Sequence, residues 1–213
     1  MFTHLHTRSC FSLLYGVRRP DEIVDAAAAL GCDALALTDI NNLHGMHDFA
    51  EACARRGVRP IIGVEFRTDE ARALVLARDR RGFSRLTGLT SARMRDAGFC
   101  LSAALAERSD GLVVLTDTTE LLARLRGRVG ELYAMVTPTS RRAEREARRL
   151  GIPLAACGET GFLSQDDRRV HRVLRAIAAR TTVSSVRDED LAPAGPLLFG
   201  PGEAARIFEG LPD

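Results

Sequence analysis

The chain has 213 residues, of which 46% are hydrophobic, 27% are charged and 5% are aromatic. This length is enough for one domain of ordinary size with a buried core, but it is too short for a large multidomain enzyme. Thirty basic residues against 28 acidic ones leave a net charge of +2, which gives no direct DNA-binding signal. No apolar stretch approaches the roughly 20 residues of a membrane span, and the first residues do not form a signal peptide, so we expect a cytoplasmic protein.

The kinds of basic residue and the spacing of the cysteines exclude some catalytic mechanisms and some structural sites. All thirty basic residues are arginine, which excludes any mechanism that needs a lysine amine. The cysteines are widely scattered and form no C-x-x-C pair: Cys10, Cys32, Cys53, Cys100 and Cys157. This spacing predicts reduced, mostly buried thiols rather than disulfides or a structural zinc cluster.

Short apolar runs alternate with longer amphipathic segments along the chain. Strands are predicted over 1–7, 34–38, 60–66, 73–77, 112–116, 132–136 and 153–157. Helices are predicted over 21–30, 46–56, 83–97, 101–107, 120–128, 141–150, 165–180 and 203–208. Because helical crossovers join parallel strands, this order predicts a parallel sheet in a compact, irregular α/β barrel, with a doubly wound open sheet as the alternative. No glycine-rich nucleotide-binding motif follows any strand.

Histidines and carboxylates stand on the first three predicted strands. His4 and His6 face the same side of their strand, because side chains alternate with a period of two. Asp39 closes the second strand and Glu65 closes the third. In a parallel barrel the strand ends meet at the mouth, where active sites lie. Two imidazoles and two carboxylates there favour a site for Zn, Mn or Fe, and the alternative is that they are polar strand ends without a ligand.

The remaining charged clusters suggest no second site. Two arginine runs within 141–149 alternate with acidic residues, which is typical of a solvated, ion-paired helix face rather than a nucleic-acid patch. His171, between arginines, is interpreted as a solvated or interface residue.

The opening segment from Phe2 to Gly16, with H-L-H followed by F-S-L-L, resembles the start of a PHP (polymerase and histidinol phosphatase) domain. The resemblance is to the version at the N-terminus of the bacterial DNA polymerase III alpha subunit and of error-prone DNA polymerases. It continues through 34–39, 60–65, 111–115, 150–154 and 171–174, so it covers nearly the whole chain. It implies a single PHP domain over 1–213, an irregular (β/α)7 barrel resembling a TIM barrel, whose strand ends bind metal ions and hydrolyse phosphoesters through metal-activated water.

The same resemblance implies which ligand positions survive. His4 and His6 match the opening ligand pair, and the carboxylates that match are Asp39, Glu65 and Glu159. Other ligand positions carry residues that depart from the family pattern: Tyr15, Ile40, Thr118, Thr137 and Gly161. Asp39 matches the aspartate of a T-D-H motif whose histidine ligand is replaced by Ile40, so the resemblance implies that at most four of about nine ligands survive, and we expect a largely degenerate site that holds one divalent ion or none.

Two functions from different classes follow from these observations. The first is a non-catalytic or weakly active PHP module of a family C DNA polymerase, which packs against the remainder of the alpha subunit or other replication proteins during replication or repair synthesis. The alternative is a free-standing metal-dependent phosphoesterase with a remodelled site. An amidohydrolase-type barrel also opens with H-x-H, but its lysine-bridged form is excluded because the chain has no lysine.

Overall fold

Strands and helices alternate along most of the chain in a computed structural model that describes residues 2–138, 140–192 and 198–209. The strands are β1 (His6–Thr7), β2 (Ala34–Ile40), β3 (Arg59–Arg67), β4 (Arg72–Ala77), β5 (Leu112–Thr116), β6 (Leu132–Val136), β7 (Leu154–Ala156) and β8 (Glu159–Thr160). The helices are α1 (Pro20–Ala29), α2 (Met46–Arg56), α3 (Arg80–Arg95), α4 (Leu101–Glu107), α5 (Thr119–Leu125), α6 (Glu144–Leu150), α7 (Gln165–Ala179) and α8 (Pro201–Ile207). The predicted α/β class is confirmed. No helix in the described ranges is long and apolar enough to cross a membrane.

The strands form a six-stranded sheet, in the order β2-β3-β4-β5-β6-β7, and a two-stranded sheet of β1 and β8. β5, β6 and β7 are parallel, but β4 runs antiparallel to both β3 and β5. The expectation of a wholly parallel sheet was therefore wrong. The connection between β3 and β4 is a short turn closed by a hydrogen bond from the Thr68 N–H to the Ala71 carbonyl, 3.0 Å. A turn this short makes a hairpin, because a parallel pair needs a crossover of a dozen or more residues.

The structure divides into two compact units. The first unit takes its residues from three segments of the chain, 1–37, 44–60 and 158–213. In its core, α1 and α2 pack together through their buried faces, which include Ile23, Val24, Phe49 and Cys53. These positions follow the spacing of one apolar helix face, so burial of that face accounts for both helices.

The second unit is formed by residues 38–43 and 61–157. Its core lies between the sheet and helices α3 to α6. The side chains that are fully buried there include Phe66, Val75, Leu86, Leu105, Val114 and Leu122. Gly82 at the start of α3 lies so close to the next connection that a Cβ atom would stand 1.8 Å from the Gly111 carbonyl oxygen. This close approach is available only to glycine.

The five cysteines are free thiols, and three of them, Cys32, Cys53 and Cys157, are buried. Burial raises the pKa of Cys53 to about 11 and that of Cys157 to about 12. The prediction of reduced, mostly buried thiols is confirmed, and the buried ones are unreactive because the thiolate is the nucleophilic form.

Candidate functional site

Pairing between the first and last strands places two of the predicted ligands side by side. β1 and β8 are parallel, and His6 is the register partner of Glu159. The neighbouring pair is tied by a hydrogen bond between the hydroxyls of Thr7 and Thr160, 3.1 Å. An imidazole and a carboxylate that lie 153 positions apart in sequence therefore meet within the first unit.

Arg8 lies between these two groups. Its Nη1 donates to Glu159 Oε1 at 2.6 Å, and its Nη2 donates to His6 Nε2 at 2.8 Å. The side chain is 2% exposed, and the guanidinium lies 4.8 Å from the centre of the Tyr15 ring. A buried guanidinium needs a compensating charge and satisfied N–H groups, and here it has a carboxylate, an imidazole lone pair and an aromatic face.

These contacts determine the tautomer of His6. A guanidinium only donates hydrogen bonds, so His6 Nε2 must be the unprotonated, accepting nitrogen. Nε2 is also the nitrogen that a metal ion would need on this edge of the ring, since a ligand imidazole coordinates through a lone pair. The Arg8 N–H group therefore occupies the His6 Nε2 lone pair that a metal ion would need.

The loop before α1 places Tyr15 over this cluster. Its backbone folds through hydrogen bonds from Ser12 N–H to the Ser9 carbonyl, 2.9 Å, and from Gly16 N–H to the Ser12 carbonyl, 2.8 Å. The turn is so tight that a Cβ atom on Gly16 would stand 1.8 Å from the Ser9 carbonyl oxygen. The Tyr15 hydroxyl reaches Glu159 Oε1 at 3.4 Å.

His4 has a different environment from His6. Its Nε2–H donates to the Phe199 carbonyl at 2.8 Å, and its ring is in contact with the rings of Phe2, at 5.1 Å between centroids, and Phe199, at 4.4 Å. The imidazole is fully buried, and its Nδ1 has no hydrogen-bond partner in the described part of the chain. Burial lowers the pKa of His4, although the Phe199 carbonyl opposes this shift. His4 therefore offers only the Nδ1 lone pair of a neutral imidazole among aromatic rings, which is not enough to bind a metal ion.

Asp39 and Glu65 belong to the second unit, where they stand near the ends of β2 and β3. Both are buried. The Arg67 Nε donates to Glu65 Oε1 at 2.7 Å, so this carboxylate is also held by an arginine. Asn41 holds the backbone of Arg67 in place through two hydrogen bonds. Its Oδ1 accepts from the Arg67 N–H at 2.9 Å, and its Nδ2 donates to the Arg67 carbonyl at 3.0 Å.

A third arginine and carboxylate pair lies at the end of the six-stranded sheet where β3 and β5 finish. β4 is antiparallel to β5, so its first residue, Arg72, stands beside the end of β5 and pairs with Asp117. The Thr116 hydroxyl donates to the Arg72 carbonyl at 2.6 Å.

The His6 and Glu159 pair does not fit a bound metal ion. In the described residues, no group of three or more histidine, cysteine or acidic side chains is placed so that it could hold one. The position between His6 and Glu159 already contains a guanidinium, which proteins do not deprotonate. Two like unit charges 4 Å apart repel by about 4 kcal/mol at an effective dielectric constant of 20, and a divalent ion doubles that cost.

His171 and Arg8 correct the sequence interpretation. His171 was expected at a solvated or interface position, but it is buried: its Nδ1–H donates to the Tyr15 carbonyl at 2.7 Å and its Nε2 accepts from the Ala192 N–H at 2.9 Å. Arg8 was not singled out. The signal that could have identified it is the two-residue spacing from His6, which puts both side chains on one side if the extended backbone continues just past β1; the Arg8 N–H does donate to the Thr160 carbonyl, at 3.1 Å.

The fold and the candidate site together define the class of this protein. It is an α/β protein in which helices separate the strands and the strands carry a metal-site motif. The PHP domain family matches residues 4–160, and the chain belongs to this family.

The proteins to which the chain is similar include DNA polymerases. The chain is 31% identical to an error-prone DNA polymerase of Anaeromyxobacter sp. (strain K), over 100% of this chain and 21% of that polymerase. It is 28% identical to the DNA polymerase III subunit alpha of Bacillus subtilis (strain 168), over 89% of this chain and 20% of that subunit. The chain thus spans about a fifth of the length of these relatives.

Solved structures agree on the fold. A two-domain protein from Bacteroides vulgatus, described as containing a PHP-like metal-dependent phosphoesterase inferred from its sequence, superposes with a TM-score of 0.56 at 15% identity. The match covers 80% of this chain and 55% of that protein. At this identity the likeness concerns the fold alone, and it agrees with the PHP fold predicted from the sequence.

Proposed function

We propose that the chain is the PHP module of a bacterial family C DNA polymerase, of the DNA polymerase III alpha or error-prone type. Its metal site is largely degenerate, and its role in replication or repair synthesis is structural or at most weakly catalytic. The observation that supports this role most directly is the buried Arg8 guanidinium between His6 and Glu159. A phosphoesterase of this family needs cations that it can bring to the phosphoryl oxygens, and a guanidinium enclosed by protein groups cannot approach a substrate.

The extent of the match supports the larger context. All 213 residues align with about a fifth of the length of error-prone polymerases, so a single module of a larger enzyme accounts for the alignment. The proposed partner is the remainder of such an alpha subunit, and the proposed location is the cytoplasm. Any contact with DNA comes from that remainder, since the module's own net charge is only +2.

A row of exposed apolar side chains on α7 offers a surface for this packing. Val170, Val173 and Ile177 are 47%, 43% and 57% exposed and stand three and four residues apart. This spacing places them on one face of the helix. Contiguous exposed apolar surface is typical of an interface, so we assign this face to the contact with the polymerase portion.

Recovery of the native protein from its source cells tests the proposal. We expect peptides of this chain to be recovered together with a family C polymerase portion, on the same polypeptide or in a stable complex. For a complex, Val173→Glu with Ile177→Glu should reduce recovery at least tenfold, while Met94→Glu, which changes a 63% exposed side chain on α3, should not.

The phosphoesterase alternative has its own signature. A native chain isolated alone, with stoichiometric Mn or Zn and hydrolysis of phosphodiesters or phosphomonoesters that His6→Ala abolishes, would contradict the proposal.

A further inference from the structure

The Arg8 cluster supports an inference that rests on the proposed function and deepens it. We propose that the Arg8 guanidinium is the resident cation of this site, in the place that a metal ion would occupy between His6 and Glu159. It keeps the imidazole, the carboxylate and the β1–β8 pair together without a bound ion.

Geometry is the first argument. One nitrogen of the guanidinium contacts the Glu159 carboxylate at 2.6 Å and the other contacts His6 Nε2 at 2.8 Å. A guanidinium presents several N–H donors in one plane, so it can satisfy two groups on adjacent strands at once. Both acceptors are electron-pair donors of the kind that bind a divalent cation.

Charge is the second argument. Arg8 is 2% exposed and the side chain of Glu159 is 10% exposed, so the two charges are buried together. Their net charge is zero, and the Tyr15 ring covers the guanidinium at 4.8 Å. The buried pair is therefore complete by itself, since each charge has a partner of opposite sign and directed hydrogen bonds.

Strand geometry is the third argument, and it determines the experiment. Residue 8 directly follows β1, its backbone N–H donates to the Thr160 carbonyl at 3.1 Å, and its side chain lies beside that of His6, so an imidazole at position 8 would point toward the same acceptors. Arg8→His removes the resident cation and supplies a third ligand beside His6 and Glu159. Three ligands of this type with an open fourth position are a Zn²⁺ site.

The test compares Zn²⁺ binding by the complete 213-residue chain and its variants. Zn²⁺ is titrated calorimetrically, and the melting temperature is measured with and without it. We expect Arg8→His to bind one Zn²⁺ per chain at least 100-fold more tightly than the wild type, with a rise in melting temperature. The gain should disappear in Arg8→His with Glu159→Gln. The matched control is Arg95→His, an exposed arginine on α3 whose Nε donates to the Ser91 carbonyl at 3.3 Å, and it should gain nothing.

Two results would overturn the inference. One is a folded Arg8→His chain that binds Zn²⁺ no better than Arg95→His. The other needs no folded variant at Arg8: stoichiometric Zn²⁺ on the wild type with a rise in melting temperature that His6→Ala abolishes. Failure of the proposed function is distinguishable, because it appears as absence of the polymerase portion in the recovered native protein, whatever Arg8→His binds.

Discussion

Asp167→Asn tests how the N-terminus of α7 is attached to the loop beside the Arg8 cluster. Asp167 is 2% exposed, and its Oδ2 accepts from the Leu163 N–H at 2.7 Å and from the Ser164 N–H at 3.2 Å. Its two oxygens also accept from Arg18 Nε, both at 3.0 Å. An asparagine keeps the shape but loses the charge and directs an NH₂ group at other donors. Charge-assisted hydrogen bonds contribute about 1.5–3 kcal/mol each.

The expected loss is about 2–3 kcal/mol in the free energy of unfolding at pH 7. It stays below the roughly 3–5 kcal/mol of a fully buried broken pair, because Arg18 is 32% exposed and keeps Glu22 as a partner at 2.9 Å. Urea unfolding followed by circular dichroism measures this difference. The comparison variant is Ser164→Ala, which removes the capping hydroxyl of α7 and its hydrogen bond to Asp167 Oδ1 at 3.2 Å but keeps the Asp167 charge, and it should cost about 1 kcal/mol.

The pH dependence adds an independent check. Burial raises the pKa of Asp167, but the hydrogen bonds from Arg18 and from the Leu163 and Ser164 N–H groups outweigh it, so the pKa is lowered overall. A lowered carboxyl pKa gives stability that is fully present above the unfolded value, about 3.9, and is lost as the pH falls through the folded value. The difference between wild type and Asp167→Asn should therefore shrink below about pH 4. Equal stability at pH 7, or a difference that does not change down to pH 3, would refute the reasoning.

Two further predictions concern the same unit and its surroundings. Gly16→Ala should lower the free energy of unfolding by about 2–3 kcal/mol in urea, because its Cβ would overlap the Ser9 carbonyl. The control is Gly88→Ala, which lies in open space on α3 and should stabilise the helix by up to about 1 kcal/mol. Equal effects of the two substitutions would contradict the close contact at Gly16. Burial lowers the pKa of His171, and its Nε2 accepts from Ala192, so the folded state holds the neutral ring. The free energy of unfolding should fall as the pH drops below about 6.5, because the unfolded state gains the proton first. Between pH 6.5 and 5 its slope against pH should be smaller in His171→Gln, by up to about 1.4 kcal/mol per pH unit. An unchanged slope would contradict the assignment of a neutral His171 ring in the folded state.

Helix and strand positions were largely predictable because they depend on local pattern. α2 was predicted over the residues that it occupies, 46–56, since its apolar spacing and the glycine after Arg56 are local signals. β1 was predicted over 1–7, but within residues 2–7, which the structure describes, the strand is His6–Thr7, with one further bridge from His4 to Leu35. The direction of β4 was missed because strand pairing depends on how the chain returns to the sheet, which hydrophobic periodicity does not encode.

The sequence selected some residues of the Arg8 cluster but none of their contacts. The resemblance selected His6 and Glu159, and the structure places them in register. His4 was assigned with His6 from the strand period, yet its ring packs against Phe199, a residue near the other end of the chain. Arg8 escaped notice because an arginine directly after a strand is ordinary. Its significance comes from burial beside an acceptor 151 positions away, and such a contact is not visible before the chain is folded.

Pairing of β1 with β8 also has a consequence for the order in which the molecule forms during synthesis. The ribosome makes the His6 strand before its partner Glu159, which is joined to the chain only after the whole of the second unit. Residues 61–157 contain their own core and local hairpin, so they can fold while β1 has no neighbour at β8. Long-range strand pairs close late because of the entropy of the intervening loop. The cluster around Arg8 therefore assembles only after the second unit has been synthesised, because Arg8 and Glu159 join the growing chain 151 residues apart.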